Sequence, residues 1–198
     1  MKPGLLILLG ALATFPLSAQ SGPCIISGRG HFQIHVGTGG LFGAFAHNHL
    51  IEAQQIQGCV KLDEKDLTQS SLQLTFAVSG IRVLDPSESA KDRAAVQQTM
   101  ETDVLRVSEF PRIRFESTGI ARGGAANQYR VRGNLTIRNT TQPMEVLVTF
   151  GRLSDGTWEA VGKYNLKQTS FGIKPIQLAG GTVKVKDEVQ TDFDLFLK

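Results

Sequence analysis

The chain has 198 residues, of which 41% are hydrophobic and 20% charged, with a formal net charge of +3. These proportions fit one globular domain and exclude a disordered polymer. The isoelectric point near 9.0 does not indicate a nucleic-acid partner, because lysines and arginines are scattered among acids and form no basic stripe.

The first nineteen residues read as a secretory signal peptide. Met1-Lys2 supplies one positive charge, Leu5 to Leu17 is an apolar run interrupted by Thr14 and Pro16, and Ser18-Ala19 offers a small residue for cleavage. Residues 20–198 then form a single domain. No later segment reaches the roughly 18 apolar residues of a membrane helix, so a soluble exported protein is expected. Cys24 follows Pro23, which does not suit a lipid anchor. In an oxidising compartment Cys24 and Cys59 either form a bridge or remain one terminal and one strand thiol. The sequence leaves both open.

From here the chain alternates with period two. Phe32, Ile34 and Val36 alternate with His31, Gln33 and His35. A run from Leu50 to Leu62 follows, then Leu72, Leu74, Phe76 and Val78 among Ser71, Gln73, Thr75 and Ala77. Residues 89–104 break the rhythm. Ser89-Ala90-Lys91-Asp92 fits a capping box, and Val96, Met100 and Val104 form a narrow apolar stripe, predicting one helix on the barrel wall or over an opening. Alternation resumes at Ile113 and Phe115. It continues through Tyr129 to Ile137, Met144 to Phe150, Trp158 to Leu166, Val183 to Val185, and Val189 to Leu197. Turn signals separate the runs: Asp63-Glu64, Gly123-Gly124, Asn139, Ser154-Asp155-Gly156 and Gly180-Gly181. The expected fold is all-β, an antiparallel barrel of about eight strands with one short helix.

The sign of the alternation indicates where solvent lies. Arg112, Arg114, Glu116, Arg130, Arg132, Lys184 and Lys186 share the polar parity. A small barrel cannot enclose that much charge, so these residues face water and the apolar parity faces a lumen. Candidate ligand-binding residues are therefore Phe32, Ile34, Phe76, Ile113, Phe115, Val131, Val148, Trp158, Phe171 and Phe193. An eight-stranded barrel is either filled by side chains or just wide enough for a small ligand. A hollow one lined this way would desolvate an aliphatic or isoprenoid tail at roughly 0.8 kcal/mol per buried CH₂. A sugar or nucleotide would lose its water there without compensation.

Catalytic motifs are missing: there is no G-x-S-x-G, H-E-x-x-H, Walker lysine loop or paired C-x-x-C. The glycines at 37, 39, 40 and 43 lead toward a strand with Phe42 where a dinucleotide loop needs glycine, so they read as a turn. All four histidines, His31, His35, His47 and His49, lie in the first quarter of the chain. Brought together across a hairpin they would offer imidazoles to zinc or copper. Otherwise they are polar residues at a strand end.

Four segments in order resemble the YceI-like family. Ser108 to Thr118 follows its FPxIxFxST signature. Val131 to Ile137, with Thr141-Gln142-Pro143, follows xVxGxLTIxGxTxPV. Phe171-Gly172-Ile173-Lys174 follows its FGI element, and Asp187-Glu188-Val189 its DEV element. The set spans about residues 29–197. Asn139 stands where the family's turn has glycine, and asparagine tolerates the left-handed backbone expected there. The resemblance implies a lipocalin-like barrel exported to the periplasm of a Gram-negative bacterium. It also implies a non-catalytic binding protein for a polyisoprenoid, such as an isoprenoid quinone, in an apolar tunnel. The competing functions are a small metal-binding protein or enzyme built on the four histidines, and an interaction module docking a membrane redox protein. A homodimer is a further partner left open.

Overall fold

The computed structural model describes residues 22–39 and 48–198. The predicted signal peptide, His47 and the glycines at 40 and 43 lie outside the described residues. The strands are β1 (Ile25–Gly39), β2 (His49–Ala53), β3 (Ile56–Lys61), β4 (Ser71–Ala77), β5 (Ile81–Val83), β6 (Arg112–Arg122), β7 (Gln128–Ile137), β8 (Thr140–Arg152), β9 (Trp158–Lys167), β10 (Gln177–Leu178) and β11 (Val183–Leu197). Among the described residues the one α-helix, α1 (Ala90–Thr99), runs into a wider turn at Met100–Val104.

The sheet runs β3-β4-β6-β7-β8-β9-β11-β1-β2-β5, with β10 attached to β11, and every pairing is antiparallel. The expectation of about eight strands is therefore low. The run from Leu50 to Leu62 is two strands, β2 and β3, parted at Gln54-Gln55. β5 and β10 are too short to show a period of two.

Side-chain parity falls as expected. Arg112, Arg114, Glu116, Arg130, Arg132, Lys184 and Lys186 are all exposed. Val131, Leu135 and Ile137 of β7 are buried with Phe115, Val146 and Val148. The helix begins where the capping box places it: the Asp92 N–H donates to Ser89 Oγ at 3.1 Å. In the two-residue link between β7 and β8 the positive φ, 56°, falls on Arg138 and not on Asn139. The left-handed position of this hairpin is thus the first central residue, as in a type II′ turn.

The curled sheet does not close by pairing its end strands. Cys24 lies beside both β3 and β11. Its backbone exchanges hydrogen bonds with Lys198 (2.9 and 2.8 Å), and its side chain is disulfide-bonded to Cys59, 35 residues on. Val60 N–H also donates to Pro23 O at 3.0 Å. At the other edge α1 covers β5: Val83 N–H donates to Gln97 Oε1 (2.9 Å), and Gln97 Nε2 donates to Ile81 O (2.9 Å). Inside the seam, the Phe32 ring meets Phe76 at 4.9 Å and Phe193 at 5.6 Å. The barrel therefore has a disulfide end, where β1 starts, and a helix end, where β5 hands over to α1.

Two glycines on the inner face make room for rings. A Cβ at Gly162 would stand 2.5 Å from Phe193 Cζ, and one at Gly133 would stand 2.4 Å from the Phe115 ring. Glycine in a strand interior marks such close approaches.

Two stability measurements follow from this closure. Replacing both cysteines by alanine should lower unfolding free energy by about 3–4 kcal/mol, the loop-closure value for a bridge of this span, read as a lower denaturant midpoint. Gly162→Ala forces the Phe193 ring aside and should cost about 1–3 kcal/mol in the same assay, the usual penalty of overpacking. A neutral Gly162→Ala would mean that Phe193 has room to move.

Candidate functional site

One cavity of about 280 Å³ runs inside the barrel. Apolar cavities of about 150 Å³ stay dry and take up apolar molecules, so this one is large enough to matter chemically. Ile25, Leu62, Leu67, Tyr129 and Leu197 line it at the disulfide end, and Val36, Met100, Val104, Leu105 and Ile173 at the helix end. Along β11 the lining takes Val189, Thr191, Phe193, Leu195 and Leu197, about 27 Å of strand at roughly 3.4 Å per residue. The cavity is therefore elongated.

Of the ten residues proposed from parity, Phe32, Ile34, Phe76, Ile113, Phe115, Val131, Val148 and Phe193 line this cavity. Trp158 and Phe171 do not, and for different reasons. Trp158 has the right parity but opens β9 at the disulfide rim, stacked on Phe150 at 4.9 Å with the Arg152 guanidinium 5.7 Å from its ring centre. Phe171 is only 4% exposed, but it lies in a helical turn after β9 and packs with Ile173 into the core at the helix end. Sequence reasoning missed Met100, Val104 and Leu105 as lining residues, although the stripe at four-residue steps already named the first two.

Three polar side chains in the wall, Ser70, Gln168 and Thr191, are engaged with the protein's own backbone. Thr191 Oγ1 donates to Tyr164 O at 2.9 Å, Gln168 Nε2 donates to Lys186 O at 2.9 Å, and Ser70 Oγ accepts from Asp63 N–H at 2.9 Å. Satisfied groups of this kind cost little to keep beside hydrocarbon.

The three described histidines do not converge. His31 and His35 sit on the outer face and share one carboxylate, with Nε2 atoms 3.1 and 2.6 Å from Asp192. His49 is elsewhere, its Nδ1 2.7 Å from Asp85 Oδ2. Among the described residues no group of three or more His, Cys, Asp or Glu side chains is arranged to hold a metal ion.

Three aspartates fix turns at the rims. Asp66 accepts from Thr68 Oγ1 (2.8 Å) and N–H (3.1 Å), holding the turn that carries Leu67. Asp155 accepts from Thr157 N–H at 2.9 Å. Asp187 accepts from Thr169 N–H (2.8 Å) and Oγ1 (2.7 Å), holding the turn that carries Phe171. These bonds draw each carboxyl below the ordinary aspartate value of 3.8: Thr68's hydroxyl leads for Asp66, and the backbone N–H groups of Thr157 and Thr169 lead for the others. Because the folded state prefers the ionised carboxylates, their stabilisation is complete above 3.8 and is lost as pH falls through the lower folded values. Wild type should therefore lose stability on acidification below about 3.8 more steeply than Asp187→Asn, which lacks one of these groups. Parallel denaturant titrations through that range check it, and identical slopes would remove Asp187 from the account.

Comparison with known proteins adds the following. The model of the YceI-like domain matches residues 30–197. A UPF0312 protein of Pectobacterium atrosepticum is 25% identical over 159 residues, covering 80% of this chain and 68% of that protein. Among solved structures, Burkholderia cenocepacia BcnA superposes with a TM-score of 0.68 at 22% identity, covering 87% of this chain and 98% of that one. A polyisoprenoid binding domain from Saccharophagus degradans, implicated in plant cell wall breakdown, superposes with a TM-score of 0.64 at 10% identity, covering 89% and 98%.

Proposed function

Because the chain belongs to the YceI-like family, we propose that it is an exported, non-catalytic binding protein that holds a polyisoprenoid or a related amphiphilic lipid in the barrel lumen. The observation that carries this reading is the elongated cavity, whose wall is almost entirely hydrocarbon and in which Ser70, Gln168 and Thr191 are bonded to the barrel's own backbone. Such a space rewards apolar length: each buried CH₂ gains roughly 0.8 kcal/mol. It has no comparable attraction for a sugar or nucleotide. The polyisoprenoid-binding domain among the fold neighbours supports the choice of a branched chain. The disulfide and the predicted leader support a periplasmic location, since bridges persist in oxidising compartments. Transport, storage and sequestration all use the same contacts, and a transient membrane-protein partner would supply and receive the lipid.

Organic extraction of protein purified from its native host, followed by mass spectrometry, should release close to one isoprenoid lipid per chain. Val148→Trp, which adds an indole to the lumen wall, should reduce that yield at least tenfold while the protein stays folded. A clean extract from wild type would defeat the proposal.

A further inference from the structure

The inner wall is apolar row by row until the helix end, where its chemistry changes. Ile34 of β1 pairs with Ile51 of β2, which pairs with Val83 of β5. One row further along the same face, Val36 pairs with His49. The β2–β5 ladder continues past Val83 through a bond from Leu84 N–H to Leu50 O at 2.8 Å, which brings Asp85 opposite His49. Val36 and Ile51 both line the cavity, so the cross-strand neighbour of His49 and its neighbour two residues along both touch the lumen. Cross-strand and same-face neighbours lie within about 5–8 Å.

The pair is built and held. The Asp85 side chain is 2% exposed and that of His49 20%. Asp85 Oδ1 accepts from Leu50 N–H and Oδ2 faces His49 Nδ1. Asp85 also anchors the approach to α1, since Arg93 Nη1 donates to its carbonyl at 3.3 Å and Glu88 N–H at 3.0 Å. A carboxylate partner puts the imidazole proton on Nδ1, so the neutral ring presents Nε2 as an acceptor. The carboxylate therefore occupies the Nδ1 edge of the ring.

We propose that His49, positioned by Asp85, binds the headgroup of the lumenal lipid by accepting a hydrogen bond from a hydroxyl. The ligand class is a long-chain isoprenoid bearing a terminal O–H, an alcohol or a hydroquinone, with its tail along the cavity toward the disulfide end. This rests on the lipid-binding reading above, and adds to it a polarity for the cargo and a preference between headgroups.

The test equilibrates the full chain with phosphatidylcholine vesicles carrying equal trace amounts of geranylgeraniol and its methyl ether, which has the same tail and no donor. The ratio of the two lipids recovered on the protein, corrected for their partition into the vesicles, is independent of the fraction of chain that is folded. Wild type should favour the alcohol about 3- to 10-fold, the worth of one net hydrogen bond. His49→Phe should bring the ratio to about one. Asp85→Asn should do the same while keeping the shape, because an amide N–H donated to Nδ1 moves the ring proton to Nε2 and turns the acceptor into a donor that either lipid can satisfy. A wild-type ratio of one, or a preference that survives His49→Phe, overturns the headgroup site and leaves the lumen reading standing. Uptake of neither lipid overturns the lumen reading, and the headgroup site with it.

Discussion

The fold depends on closing a sheet whose two end strands do not pair. Unpaired strand edges invite association with other chains, and here each edge is met by a different device. β5 is covered by Gln97 of the helix, whose side chain supplies both an acceptor and a donor to the strand backbone. β3 meets the segment before β1 through the Cys24–Cys59 bridge and a backbone bond to Pro23. Inside, Phe32 bridges from Phe76 to Phe193 across the same seam. A small barrel is either filled by its own side chains or just wide enough for one small ligand. Here the inward side chains leave room along the barrel, and that room is the cavity.

That cavity stays apolar because the polar demand around it is met elsewhere. Thr191 and Gln168 reach backbone carbonyls, and Ser70 receives a backbone N–H. Charge is confined to the outer parity, where Arg130 and Arg132 both lie near Glu145 across strands. Exposed pairs of this kind add little stability, but their placement prevents any register in which the arginines turn inward. A slip of one residue would exchange the two faces completely. Gly133 and Gly162 act in the same direction from inside, giving the Phe115 and Phe193 rings a place against the backbone.

Much of this was legible in the sequence, because alternation is a local signal and burial of one face is its direct cause. Every run of four or more alternating residues became strand. The signal fails where it is too short, as at Ile81–Val83 and Gln177–Leu178. It also fails where a brief break has a large topological effect: Gln54-Gln55 separates β2 from β3, which then lie near opposite ends of the sheet path. Parity gives the face of a residue but not its height along the barrel, so Trp158 was placed in the lumen when it stands at the rim. Phe171 was misplaced because it is not in a strand at all. Cys24 and Cys59 were legible as candidates only, since pairing depends on two strands whose neighbourhood is set by long-range order. Asp85 gave no signal for the same reason: its relation to His49 exists only once β5 pairs with β2.

The two rims of the barrel are chemically unlike, and this gives the lumen a direction. At the disulfide end the inner face closes on Leu197 and on Trp158, with the Arg152 guanidinium over the indole and Phe150 stacked beneath. At the helix end the rim beside Val36 carries an imidazole paired with a buried carboxylate. Apolar burial is non-directional, so a hydrocarbon wall alone holds a chain equally well in either sense and at many depths. Directional bonds at one rim remove that degeneracy, because only one end of an amphiphile carries a group that can meet them. The same rim receives α1 and the turn bearing Phe171, both tied down by side-chain hydrogen bonds to neighbouring strands. The histidine–aspartate pair and the elements that close the mouth therefore share one end of the barrel, while the other is framed by Leu197, Tyr129 and Trp158 with its Arg152 guanidinium.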